Sequence, residues 1–304
     1  KLWEKKWADA DVVITGDDDA QLALRYSIYH LLILAPSIYE KASIPARGIS
    51  GQTYKGAIFW DTEIFMLPFY LNTDINSARR IIEYRIEGLK GAKDKAKSYG
   101  YQGAFYAWES QEDGYDACTD YNVTDVFTNR NVRTYFKDKQ VHISADIAYA
   151  IDQYIQRTGD DQILYDGALE VILEVARFYL DYGCYKPLKK RFEMLDVLGP
   201  DEYHERVHNN AFTNQMVKMV FELILKYQHH FKEKNDHFFD QLIHKISFEE
   251  SLSLVKTYDD IFHLIKPNEK GIIEQFEGYF QLKDISKEDL IKHKIHEHEY
   301  LGGH

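Results

Sequence analysis

The strongest constraint on the fold of this chain is an alternation. Segments with a helical period of apolar residues are separated by long irregular loops, and no βαβ or hairpin pattern stands out between them. Residues 20–34 place Leu24, Ile28, Leu31 and Leu32 on one face. Thr15-Gly16-Asp17-Asp18-Asp19 supplies caps and an acidic first turn ahead of them, and Pro36 closes the segment. The same reading predicts helices over residues 61–70, 74–99, 144–157 with Ser144 as cap, 161–182, 211–231 and 248–265. A weaker helical pattern covers 286–298, with Ser286 as cap. Between them, residues 43–60 carry three Gly and a Pro without a helical period, and residues 100–140 are again irregular. Ordered loops of that length are usually kept for function. The prediction is an all-α fold, a toroid of paired helices with its loops gathered at one end. Helix pairs recur without self-similarity, which argues against a solenoid of identical repeats.

Charge and composition narrow the function. With 37 basic and 49 acidic residues the net charge is −12, which disfavours nucleic acid or an anionic membrane as partner. No apolar run has the length of a membrane span. The cysteines, Cys118 and Cys184, form no disulfide framework or metal spacing, so a cytoplasmic location is expected. Aromatic content is high, with 23 Tyr, 17 Phe and 4 Trp. Rings in such number suit a cleft that stacks on hydroxyl-rich ligands such as sugars, although most of them are expected to fill a helical core.

The densest chemistry lies between Asp196 and Asn214, where Asp196, Asp201, Glu202, His204, Glu205 and His208 crowd together. Gly199-Pro200 forces a turn, and a helix start is expected near Asn209-Asn210. Polar loops delivered to the mouth of a helix often carry catalytic carboxylates. A plain acidic loop capping a helix is the alternative that composition leaves open. His204 and His208 have metal spacing but no third clustered ligand, so no metal is expected.

Five segments resemble those of glycoside hydrolase family 65, the disaccharide phosphorylases. They are Ala46-Arg47-Gly48-Ile49-Ser50-Gly51, Phe59-Trp60-Asp61-Thr62-Glu63-Ile64-Phe65, Ala107-Trp108-Glu109-Ser110, His142-Ile143-Ser144-Ala145-Asp146-Ile147-Ala148-Tyr149 and Gly199-Pro200-Asp201-Glu202-Tyr203-His204. They stand in the family's order across most of residues 20–285. The resemblance implies an (α/α)6 barrel, which agrees with the toroid of paired helices read independently from the helical pattern. It also implies that residues 1–16 are a connector and residues 17–304 an incomplete barrel. The family's phosphate-binding loop would lie beyond His304, so the 304 residues alone are not expected to be an active phosphorylase.

By the same resemblance Glu202 is the general acid. Cleaving a glycosidic bond needs a proton on the departing oxygen, which a poorly solvated carboxylic acid can hold near neutral pH. Asp201 beside it is expected to stabilise the turn. Trp60 and Asp61 would bind the glucose next to the cleaved bond, ring on C–H face and carboxylate on hydroxyls; a buried Trp before an N-capping Asp is the rival reading. Trp108 and Glu109 would serve the acceptor side. Arg47 and Thr134 are further binding candidates, and His142 reads equally as a core residue. Inorganic phosphate as co-substrate replaces the water and base of an inverting hydrolase, and no cofactor is expected. Asp116-Ala117-Cys118, Arg133-Thr134-Tyr135-Phe136 and Asp138-Lys139-Gln140-Val141-His142-Ile143 look most like members that act on maltose. The expected reaction is therefore maltose plus phosphate to β-glucose 1-phosphate and glucose, by a full-length homodimer. Trehalose, kojibiose, nigerose or a phosphorylated disaccharide are the neighbouring substrates. An inverting glucoside hydrolase or a noncatalytic sugar-binding fragment are the alternatives in other classes.

Overall fold

The computed structural model describes residues 2–36, 41–48, 51, 53–125, 128–283 and 285–294. Its architecture is all-α, as the alternation of helical segments and loops predicts, and is consistent with an (α/α)6 barrel. In chain order the helices are α1 Leu2–Ala10, α2 Asp18–Leu34, α3 Leu67–Thr73, α4 Ile75–Glu87, α5 Leu89–Ser98, α6 Phe136–Lys139, α7 His142–Thr158, α8 Leu169–Tyr182, α9 Ala211–Glu233, α10 Phe238–Lys245, α11 Glu249–Ile261 and α12 Lys287–His293.

Several boundaries follow from capping chemistry. The Asp17 carboxylate accepts from the Ala20 N–H at 2.9 Å and starts α2. Asn210 Oδ1 accepts from the Thr213 N–H at 3.0 Å and starts α9 where expected. Ser286 caps α12, which ends at His293 with Lys294 in a left-handed conformation, and residues 295–298 of that predicted segment lie outside the described residues. Ser144 is not a cap: it lies inside α7, and its buried hydroxyl accepts from the Tyr106 N–H at 2.9 Å.

Other expectations fail for local reasons. The predicted helix over 74–99 breaks at Gly88, where its backbone meets the loop at Gly114. A Cβ on Gly114 would lie 2.3 Å from the Gly88 carbonyl oxygen, so only glycine permits the approach. Helix α3 is preceded by a π-helical turn, Thr62–Met66, and α8 by another, Leu164–Ala168. Two short antiparallel hairpins also occur, β1 Val123–Thr124 with β2 Asn131–Val132 and β3 Cys184–Lys186 with β4 Arg191–Glu193. Strands of two or three residues are too short to show an alternating pattern.

The core forms where α4, α7, α8, α9 and α11 pack together. Ile81, Ile147, Ile151, Val175, Val220 and Phe221 are fully buried there. Each such side chain contributes about 1.5–3 kcal/mol by leaving water. A smaller cluster of Ala10, Ile28 and Leu32, with Trp7, Leu24 and Phe69 against it, docks α1 and α2 on α3. Among the described residues no helix is long and apolar enough to cross a membrane.

Candidate functional site

The loop carrying Glu202 is closed at its base. Val197 and Val207 exchange both backbone hydrogen bonds, each 2.9 Å. The Leu198 N–H donates to the Lys139 carbonyl at 2.8 Å, tying this base to the end of α6. Asp196 and Arg206 flank the closure in left-handed backbone conformations, and Arg206 donates to both Asp196 oxygens at 2.8 and 3.2 Å. A Cβ on Gly199 would fall 2.4 Å from the amide nitrogen of Asn210, the cap of α9. Glycine here lets the motif pass directly over that cap.

Inside the closed loop the carboxylates separate in role. Burial works against ionised Asp201, but hydrogen bonds from Gln275 at 2.6 Å, the Tyr203 N–H at 3.0 Å and His204 hold it below its usual range. Asp201 therefore stays ionised as a turn anchor. Glu202 moves the opposite way. Burial, then the charges of Asp61 and Asp201, raise it above its ordinary value against the opposing influence of His142. A carboxyl so placed keeps its proton to higher pH, which is what a general acid requires.

Glu202 stands on the wall of a cavity of about 580 Å³, together with Tyr54, Lys55, Trp108, Glu109 and Phe136. Trp108 is held between Phe136, stacked at 4.8 Å and 19°, and Phe59, edge-on at 4.6 Å. Its indole Nε1 is buried without a partner. Glu109 is nearly buried and receives the Lys55 ammonium at 2.5 Å. The structure thus brings Glu202, Trp108 and Glu109 onto one surface. Thr134 lies one residue behind it, its hydroxyl accepting at 2.9 Å from Asn122, which does line the cavity. Arg47 is exposed and not among the lining residues; its guanidinium lies 5.8 Å from the ring centre of Tyr54.

Trp60 and Asp61 enter the fold at the π-helical turn. Glu63 in that turn receives Arg85 of α4 through two hydrogen bonds of 2.7 and 2.8 Å, both side chains almost fully buried. Arg85 also donates to the Phe59 carbonyl at 3.1 Å, and Thr62 donates to the Ile44 carbonyl at 3.0 Å. The pair is therefore clamped from both sides. Asp61 makes no capping hydrogen bond to the turn it precedes, so the N-cap reading does not describe it. Burial raises its carboxyl, and its charge acts on Glu202.

His204 pairs with Asp201 and packs on Phe276 and Tyr279, while His208 Nδ1 accepts from the Asp196 N–H at 3.1 Å. Among the described residues no group of three or more His, Cys, Asp or Glu is arranged to hold a metal ion. Sequence reasoning did not single out Lys55, whose partner Glu109 is remote in the chain. It named Glu205 within the dense acidic stretch but gave it no role; burial pushes that carboxyl up to about 7. For Asp146 a signal was present: it stands one helical turn after His142.

A helical frame that presents a raised carboxyl, a second carboxylate and an indole held between two rings around one cavity is the arrangement a carbohydrate-active catalytic domain requires. The chain belongs to glycosyl hydrolase family 65, whose central catalytic domain matches residues 25–301. Nigerose phosphorylase of Lachnoclostridium phytofermentans is 52% identical over 303 residues, covering 99% of this chain and 40% of that protein. The 1,2-alpha-glucosylglycerol phosphorylase of Bacillus selenitireducens is 41% identical over 302 residues, covering 99% and 39%. A solved structure from the human microbiome, provisionally identified as a kojibiose phosphorylase, superposes with a TM-score of 0.84 at 25% identity, covering 99% of this chain and 43% of that one. The chain thus spans about two fifths of the length of these relatives. None of these relatives is a maltose phosphorylase, so the expectation of maltose, which rested on short loop segments, finds no support in them.

Proposed function

We propose that, in the full-length protein, this domain phosphorolyses an α-linked glucose disaccharide with inversion, and that nigerose is its substrate. The observation that carries the reading is Glu202, a partly buried carboxyl with a raised proton affinity on the wall of a ring-lined cavity. Glu202 protonates the bridging oxygen as it leaves the cleaved glucose. Trp60 and Asp61 hold that glucose, while Trp108 and Glu109 receive the departing sugar. Phosphate attacks the anomeric carbon from the opposite face and needs no general base, being an anion already. The choice of nigerose is supported by the 52% identity to a nigerose phosphorylase, and kojibiose and trehalose are the nearest competitors.

The test is an assay of the full-length enzyme on nigerose, kojibiose, trehalose and maltose, with and without phosphate. Phosphate-dependent release of glucose 1-phosphate, fastest on nigerose, is expected. Cleavage to free glucose that ignores phosphate would replace the reading by a hydrolase. A faster rate on another disaccharide would retain the chemistry and overturn the substrate.

A further inference from the structure

Behind the cavity wall the molecule buries a histidine–carboxylate pair that neither the packing nor the acid step explains. His142 and Asp146 begin α7 one turn apart, both wholly inaccessible, with Nδ1 2.6 Å from Oδ2. Removing two such groups from water is costly, and pairs of this kind are poor stabilisers compared with apolar packing. The arrangement also leaves polar atoms over. His142 Nε2 and Asp146 Oδ1 are buried with no hydrogen-bond partner, a situation rare enough in native cores to call for a reason.

The surroundings of the ring supply one. His142 meets Trp60 edge-on at 5.0 Å and 90°, and Phe212 at 5.3 Å and 87°. Its electrostatic influence reaches both Asp61 and Glu202, opposing the effect of burial on each. Asp146 is fully inside the core, so its bond to Nδ1 fixes the plane of the imidazole and decides which nitrogen carries hydrogen. We propose that His142 is the positioning residue of the glucose subsite: held by Asp146 through Nδ1, its ring is the wall against which Trp60 is set, with Nε2 left as a hydrogen-free acceptor on that wall. It sets the Trp60 ring, and through it the adjacent Asp61, toward the sugar. This rests on the proposed function only in taking Trp60 and Asp61 as the glucose site.

The two ring nitrogens can be tested apart. In His142→Asn the amide stands near Nδ1 and keeps the link to Asp146 but has nothing at Nε2. In His142→Gln the longer side chain places its amide near Nε2. Asp146→Asn keeps the volume but donates to Nδ1, forcing the hydrogen of a neutral imidazole onto Nε2. Glucose binding is measured by calorimetry on the full-length enzyme without phosphate, together with KM, kcat and thermal midpoint.

His142→Asn is expected to weaken glucose binding and raise KM about tenfold, with kcat changed less and the midpoint held. His142→Gln should recover most of the affinity, and Asp146→Asn should lose it. Glucose affinity within about twofold of wild type in His142→Asn would overturn the proposal. So would losses in both His142 variants that simply track a falling midpoint. If His142→Asn does not fold, Asp146→Asn decides by the same affinity criterion. Calorimetry keeps the two readings separate, because a wild-type enzyme that binds glucose but performs no phosphorolysis refutes the function and leaves His142 testable.

Discussion

At the scale of single residues, the proposed chemistry depends on one carboxyl differing from its neighbour. Asp201 and Glu202 are adjacent in sequence, yet hydrogen bonds hold the first down and burial lifts the second. Replacing Glu202 by Gln preserves shape and hydrogen-bonding capacity but removes the transferable proton. The full-length Glu202→Gln enzyme is expected to lose about 10²- to 10⁴-fold in kcat while binding disaccharide almost as wild type. Retention of more than about a tenth of wild-type kcat would remove Glu202 from the role. The direction of the shift also fixes the alkaline limb of the pH profile. A general acid works while protonated, so kcat/KM should fall as pH rises through the raised pKa of Glu202, and that limb should vanish from the residual activity of Glu202→Gln. Identifying Glu202 from sequence was possible because the motif is contiguous. Its electrostatic partner Asp61 could be named as a sugar ligand but not as a neighbour of Glu202, since no local pattern reports a contact across that much chain.

At the scale of elements, the clearest dependence is the clamp between the π-helical turn and α4. Arg85 and Glu63 are fully buried, and each leaves the other an unpaired charge if removed. Arg85→Met should therefore destabilise by about 3–5 kcal/mol and loosen Trp60 and Asp61, seen as a lower unfolding midpoint and a raised KM. The double substitution Arg85→Met with Glu63→Leu should recover much of that stability, because the stranded carboxylate is gone. A double variant no more stable than the single one would show that the pair sets the turn by geometry beyond its charge. Long elements such as α2, α7 and α9 were legible because a helical period runs over several turns and Asp17 or Asn210 announces the start. The break at Gly88 was not, because its cause is the approach of Gly114 from a distant loop. Ser144 misled for a related reason: it looks like a cap by type, but Tyr106 draws its hydroxyl into the core.

At the scale of the whole molecule, carboxyls shifted in opposite directions impose two different dependences of stability on pH. Glu205 is raised from 4.5 to about 7, by burial first, with the N–H of Tyr135 and the Arg133 charge opposing and Asp138 and Glu202 adding to it. A raised carboxyl contributes stability that is whole below its unfolded value and is lost as pH climbs through the folded one. Asp196 is the reverse. Burial works against it, but Arg206 and Lys139 hold it at about 2, down from 3.8, so its contribution is present above 3.8 and lost as pH falls toward 2. The net charge of −12 adds general self-repulsion at alkaline pH that no single substitution cancels. Differences between wild type and variant isolate each group from that background. Relative to wild type, Glu205→Gln should gain stability between pH 4.5 and about 7 and show a constant difference above. Relative to wild type, Asp196→Asn should lose stability at neutral pH, with the gap closing as the medium is acidified below 3.8. Denaturant midpoints of the three proteins across pH 3 to about 8 provide the measurement. A Glu205→Gln difference that stays flat across that range would mean the carboxyl is solvated in the folded protein and that the loop around Glu202 is wetter than its packing indicates.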